Sequence, residues 1–96
     1  MDEILTIETF RPLAGSTFEL SPSGENAVAA TLVEVRSLGE QPAGREPFAL
    51  VFRAPEQRVL PQATYRFAHP DLGEADIFVV PIARTADGVD YEAIFT

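Results

Sequence analysis

His69 is the single histidine of the 96-residue chain. With Asp71 or Glu74 as an orienting acid and a serine or water as nucleophile, it would be the general base of a hydrolytic site. The surrounding residue types oppose that reading. His69 precedes Pro70 at the mouth of a turn, where a histidine ordinarily serves the turn, and no Gly-x-Ser-x-Gly elbow accompanies it. Nucleophile and base are required together, so the chain is not expected to be an enzyme. Two acidic groups, Asp71, Glu74 and Asp76 and then Asp87, Asp90 and Glu92, offer oxygen ligands to a hard cation. Neither has the spacing of a calcium loop, and solvated acids that discourage edge-to-edge pairing are the expected role. Paired carboxylates for glycoside cleavage need a cleft that a domain this small has little room for. Glycines 15, 24, 39, 44, 73 and 88 never cluster into a phosphate-cradling loop. No metal and no cofactor are expected.

The charge balance narrows the partners. Seven cations, all arginine, face fifteen acids, for a net charge of −8. Arg11, Arg36, Arg45, Arg53, Arg58, Arg66 and Arg84 are scattered singly, whereas a phosphate-binding surface needs clustered cations. Neither nucleic acid nor an anionic membrane surface is an expected partner. With no cysteine there is no disulfide framework, no thiolate nucleophile and no sulfur-ligated metal. The start, Met1 to Leu5, lacks a basic apolar leader, and no run approaches a membrane span, so a cytoplasmic location is expected.

The elements that must position these residues are mostly strands. Residues 6–15 read as a short helix: Thr6 caps it, Ile7 and Phe10 share a face, Pro12 limits it to about two turns, and Gly15 supplies the left-handed stop. The period then becomes two over residues 17–21, and 22–26 reads as a turn into a long run, 27–38. In that run Val33 and Val35 are expected inward, with Glu34 and Arg36 outward. A glycine- and proline-rich loop at 39–44 leads to 47–53, where Phe48, Leu50 and Phe52 share one face and Ala49, Val51 and Arg53 the other. Pro61 keeps the apolar stretch 59–62 off any central ladder. Residues 64–68 follow with Tyr65 and Phe67 inward. The turn 69–73 makes a hairpin with the next strand, and 86–88 makes another leading to 91–95. Residues 76–83 are apolar on both faces, Ile77 and Val79 on one side and Phe78, Val80 and Ile82 on the other. Such a strand is central, or covered by the helix or a partner.

Six strand-like runs, one N-terminal helix and no internal repeat predict a single mainly β domain over residues 1–96. A six-stranded antiparallel small barrel is preferred, in which the two long runs bend and the helix plugs one end; a two-layer β-sandwich is the alternative. Of the nine aromatics, Phe18, Phe48, Phe52, Tyr65, Phe67, Tyr91 and Phe95 fall on the apolar phase of alternating strands. They are expected in the core rather than as a stacking platform. An interior lined by Phe48, Phe52, Tyr65 and Phe67 could alternatively hold a small apolar ligand, within the limited volume of six short strands.

Five motifs carry a resemblance: Glu-Pro-Phe-x-Leu-x-Phe at 46–52, Leu-Pro-Gln-x-Thr-Tyr at 60–65, His-Pro-x-Leu-Gly at 69–73, Phe-x-Val-Pro at 78–81 and Asp-Gly-x-x-Tyr-Glu-Ala-x-Phe at 87–95. Together with the opening residues 5–10 they resemble an uncharacterised bacterial family of about one hundred residues, a domain of unknown function. The resemblance implies no established activity and no catalytic residues. It implies a gene neighbourhood with phage-tail-collar-like proteins, and so an accessory of a tail-like assembly. The residues and the resemblance together predict a non-enzymatic protein-binding or assembly module with a protein partner, in an oligomeric state that the sequence leaves open. Its contact surface is predicted at Ile77, Phe78, Val80 and Ile82, by strand addition or face packing. A small-ligand barrel and a small hydrolase using His69 are the competing readings.

Overall fold

The computed structural model describes residues 5–21, 27–39, 46–56 and 58–96. The turn at 22–26, most of the loop at 39–44 and Arg45 lie outside the described residues. Helix α1, Ile7–Phe10, runs into a 3-10 turn, Arg11–Leu13. Thr6 opens it, its backbone N–H donating to Thr9 Oγ1 at 3.1 Å. Pro12 sits in the 3-10 turn, where the amide it lacks would have no helical partner. Gly15, at φ 87°, turns the chain out of the helix, and its N–H donates to Leu32 O at 2.7 Å. Ile7, Phe10 and Leu13 are buried.

Six strands follow: β1 (Thr17–Ser21), β2 (Val28–Ser37), β3 (Phe48–Ala54), β4 (Ala63–His69), β5 (Gly73–Thr85) and β6 (Gly88–Phe95). All ladders are antiparallel and close into a barrel in the order β1-β2-β3-β6-β5-β4. The barrel, not the sandwich, is the fold. The two long strands make closure possible by changing partners along their length. β2 pairs first with β1 and then with β3, while β5 pairs with β4 as far as Val79 and with β6 from Val80. Each carries a bulge in its second half, between Leu32 and Glu34 in β2 and between Pro81 and Ala83 in β5. Bulges bend and twist a strand, as a closing sheet requires.

The bulge in β2 reverses one expectation. Val28, Ala30 and Leu32 point inward, the extra residue Val33 is 40% exposed, and Val35 then packs partly against the core. Val33 follows Leu32 to the outside, and the inserted residue shifts the phase of the pleat so that Val35, not Glu34, turns back toward the core.

The ladders also contain a repeat that the sequence conceals. Adding 47 to positions in β1 and β2 and 41 to those in β3 carries the ladders onto one another except beside the two bulges, which sit at different positions. Thr17↔Thr31 maps onto Thr64↔Phe78, Glu19↔Ala68 onto Arg66↔Ser21, Arg36↔Ala49 onto Ala83↔Asp90, and Phe48↔Phe95 onto Val89↔Ala54. Two β-meanders, β1-β2-β3 and β4-β5-β6, are related by a pseudo-two-fold passing near the pair Val51↔Glu92.

The interior is filled by aromatic rings in mutual contact. Phe18 meets Phe52 edge-on at 5.2 Å, Phe52 meets Phe67 at 4.7 Å, and Phe48 stacks on Phe95 at 4.6 Å. Phe10 brings α1 against that last pair, at 5.9 Å from Phe48 and 5.8 Å from Phe95, so the helix closes one end of the barrel. Burying each such ring contributes about 1.5–3 kcal/mol. Near the other end Leu60 is buried, its N–H donating to Tyr91 Oη at 2.9 Å, while Tyr65 Oη donates to Pro61 O at 2.5 Å. Residues 58–62 are held there without entering a ladder, as Pro61 dictates.

Candidate functional site

His69 ends β4, and the fold brings it to Ser16, fifty-three residues away in sequence: His69 Nε2 lies 2.9 Å from Ser16 Oγ. A serine and a histidine at this distance invite a catalytic reading, and the remaining hydrogen bonds give the pair its polarity. The Asp71 backbone N–H donates to His69 Nδ1 at 3.0 Å, so Nδ1 is an acceptor and the neutral ring carries its proton on Nε2. Nε2–H then donates to Ser16 Oγ, and Ser16 O–H donates to Leu13 O at 2.5 Å. This polarity is the reverse of nucleophile activation, in which the imidazole nitrogen must accept the serine proton. The orienting position is filled by a backbone amide, not by Asp71 or Glu74 carboxylate. Buried to 8% exposure and 4.7 Å from the Phe18 ring, His69 straps the end of the helical segment to the β4–β5 hairpin.

An open groove of about 580 Å³ lies beside it, lined by Thr17, Glu19, Ala68, Pro70 and Glu74 among others. Glu19 and Glu74 flank Ala68 through the register Glu19↔Ala68↔Glu74. Glu74 is engaged by Arg66 at 3.3 Å, and Asp76 by the same guanidinium at 3.2 Å. The Arg66 guanidinium is held above the usual arginine value, chiefly by the hydrogen bond and charge of Asp76. Of the second acidic group, Asp90 belongs to Arg53 and Glu92 to Arg36. Four of the six acids are thus engaged by arginines, and the described residues contain no group of three side chains placed to hold a metal ion.

The Arg53–Asp90 pair is bidentate, at 2.7 and 3.1 Å, on the outer side of the β3–β6 ladder. Asp90 raises the Arg53 value by its hydrogen bond and then by its charge. A raised value means that the stabilisation linked to the Arg53 proton is fully present below the arginine range and is lost as strong alkali titrates the guanidinium. Arg36 bridges Glu34 at 2.9 Å and Glu92 at 3.3 Å, and so crosses β3 over Val51. That crossing explains why the outer face of β3 is also buried, Ala49 at 0% and Val51 at 6% exposure.

The predicted contact surface divides. Ile77 points into the core at 2% exposure with Val79 beside it, which removes it from any outer surface. Phe78 and Ile82 stand outside at 52% and 50%, with Val80 half-buried between them. Helix α1 does not serve as their cover: its Phe10 packs on Phe48 and Phe95 at the barrel end. The sequence reading missed Ile94, on β6, which is 53% exposed. Continuing the Val80↔Glu92 register by two residues sets Ile94 across from Phe78. The signal for Ile94 was available, since it occupies the outward phase of an alternating strand and is apolar where that phase is otherwise acidic: Asp90, Glu92, Ile94.

Among the described residues no helix is long and apolar enough to cross a membrane. No curated protein and no solved structure matches the chain. A family model described as a domain of unknown function (DUF6916) matches residues 5–95, nearly the whole chain, and the chain belongs to that family.

Proposed function

We propose that this chain is a non-enzymatic protein-binding or assembly module whose contact surface is the outer side of β5 and the end of β6. The observation that carries the reading is the set Phe78, Ile82 and Ile94, with Val80 between them: these three are the most exposed large hydrophobic side chains among the described residues. Contiguous exposed apolar side chains on a soluble-type surface mark interaction sites. The ring-to-ring packing of the interior and the polarity of the Ser16–His69 hydrogen bond give no comparable support to ligand carriage or hydrolysis. We place the module in the cytoplasm, as an accessory of a phage-tail-like assembly.

Affinity capture from the native host, with wild type and Phe78→Asp as parallel baits and mass spectrometry as readout, tests the reading. A defined protein recovered by wild type and lost with the folded variant supports it. Equal recovery by both baits, or recovery of bait alone, counts against it.

A further inference from the structure

Resting on that binding-module reading, we propose that the occupant of the Phe78–Ile94 surface is an extended segment of a partner protein, apolar in its middle and cationic at its ends. The seam between β5 and β6 is open there. β5 leaves β4 at Val79 and joins β6 at Val80, so no residue belongs to both ladders, and beyond Glu92 the end of β6 is paired only with β3. The pseudo-symmetric seam is closed further: Thr31, the counterpart of Phe78, pairs with Thr17 on one side and with Arg53 on the other. An opening between two strands, flanked by exposed apolar side chains, suits an extended chain, which brings main-chain hydrogen-bonding groups and alternate side chains to it.

Charge fixes the ends of that chain. Asp76 lies two residues before Phe78, and Glu92 lies across from Val80 and two residues before Ile94. Each belongs to a triad in which one guanidinium serves two carboxylates: Arg66 with Glu74 and Asp76, and Arg36 with Glu34 and Glu92. Both triads keep one uncompensated negative charge beside the apolar patch. A second copy of this chain, at net charge −8, would bring like charge to like. Lysine or arginine complements both triads.

The test uses fluorescence anisotropy with labelled peptides that share a Val-Thr-Leu-Thr-Val centre and end in two lysines or two glutamates on each side. The lysine-ended peptide is expected to bind roughly tenfold or more tightly than the glutamate-ended one at about 0.1 M salt. Phe78→Asp and Ile94→Asp are expected to weaken it roughly tenfold although both add negative charge, whereas Val33→Asp, at an exposed apolar position on another strand, leaves it unchanged. Equal affinity for the two peptides, no binding of the lysine-ended peptide, or binding that survives both variants would overturn the proposal. So would concentration-dependent dimerisation in sedimentation that Phe78→Asp abolishes, which makes a second copy the occupant. Either failure leaves the binding-module reading standing if the protein captured from the host is still lost with Phe78→Asp.

Discussion

The two ends of the β3–β6 ladder are related by the pseudo-two-fold, yet they are finished in opposite chemistry. At one end Arg53 faces Asp90 in a bidentate ion pair; its symmetry mate at the other end is Ala49 facing Ile94. The first end is locked from outside by the ion pair and from behind by Gly88, whose missing side chain lets Ala54 approach. The second is packed inside by Phe10, Phe48 and Phe95 but presents Ile94 to solvent at 53%. A single backbone plan therefore tolerates either finish. The fold alone does not require an apolar exterior at Ile94 and Phe78, because the equivalent positions one half-turn away are Arg53, which is ion-paired, and Thr31. The apolar finish at this end is the observation on which the proposed contact surface rests.

Breaking the locked end should have the largest effect. A Cβ at Gly88 would lie 2.0 Å from Ala54 O, and φ there is 133°, a conformation that side chains rarely adopt. Gly88→Ala should cost about 3–5 kcal/mol in urea unfolding, because backbone rather than a flexible side chain must move. The comparison is sharpened by transplanting the polar finish. Ala49→Asp alone should lose about 3 kcal/mol by burying an uncompensated carboxylate. Adding Ile94→Arg should recover at least half of that if the two ends are equivalent; the same unfolding measurements check it. Tyr91→Phe leaves the Leu60 N–H without its acceptor, and a loss of about 1–2 kcal/mol is expected. Smallest is Phe78→Asp, which should change stability by less than about 0.5 kcal/mol, since the side chain is half exposed. A large loss in its thermal midpoint would mean that Phe78 serves the fold and not a partner.

Much of this architecture is legible in the sequence because strands with one buried face alternate strictly. Thr17–Ser21 shows that pattern from end to end, and the Pro70 and Gly88 turns fix the hairpins around β5. Val33 was misplaced because an inserted residue leaves no mark on a period-two pattern; only the partner strand shows it. The internal repeat was hidden for a different reason. Its two halves keep the inward residues, Phe18 with Tyr65 and Leu20 with Phe67, but exchange the outward ones, Ala49 for Asp90 and Arg53 for Ile94. The burial of Val51 depends on an arginine that reaches across from another strand, and the Ser16–His69 contact joins residues far apart in the chain. Neither has a local signature. In β5 the two-faced apolar run separates Ile77 and Val79 from Phe78, Val80 and Ile82 but does not say which side is buried, so Ile77, which the barrel turns inward, was grouped with the outward residues.

The most direct test of the central claim is quantitative capture by the folded Ala49→Asp/Ile94→Arg variant, set beside wild type. It exchanges the apolar finish for the polar one on the same backbone. Loss of the partner that wild type recovers, with an unchanged strand signature by circular dichroism, is the predicted result. Undiminished recovery of that partner by the folded variant would contradict the account.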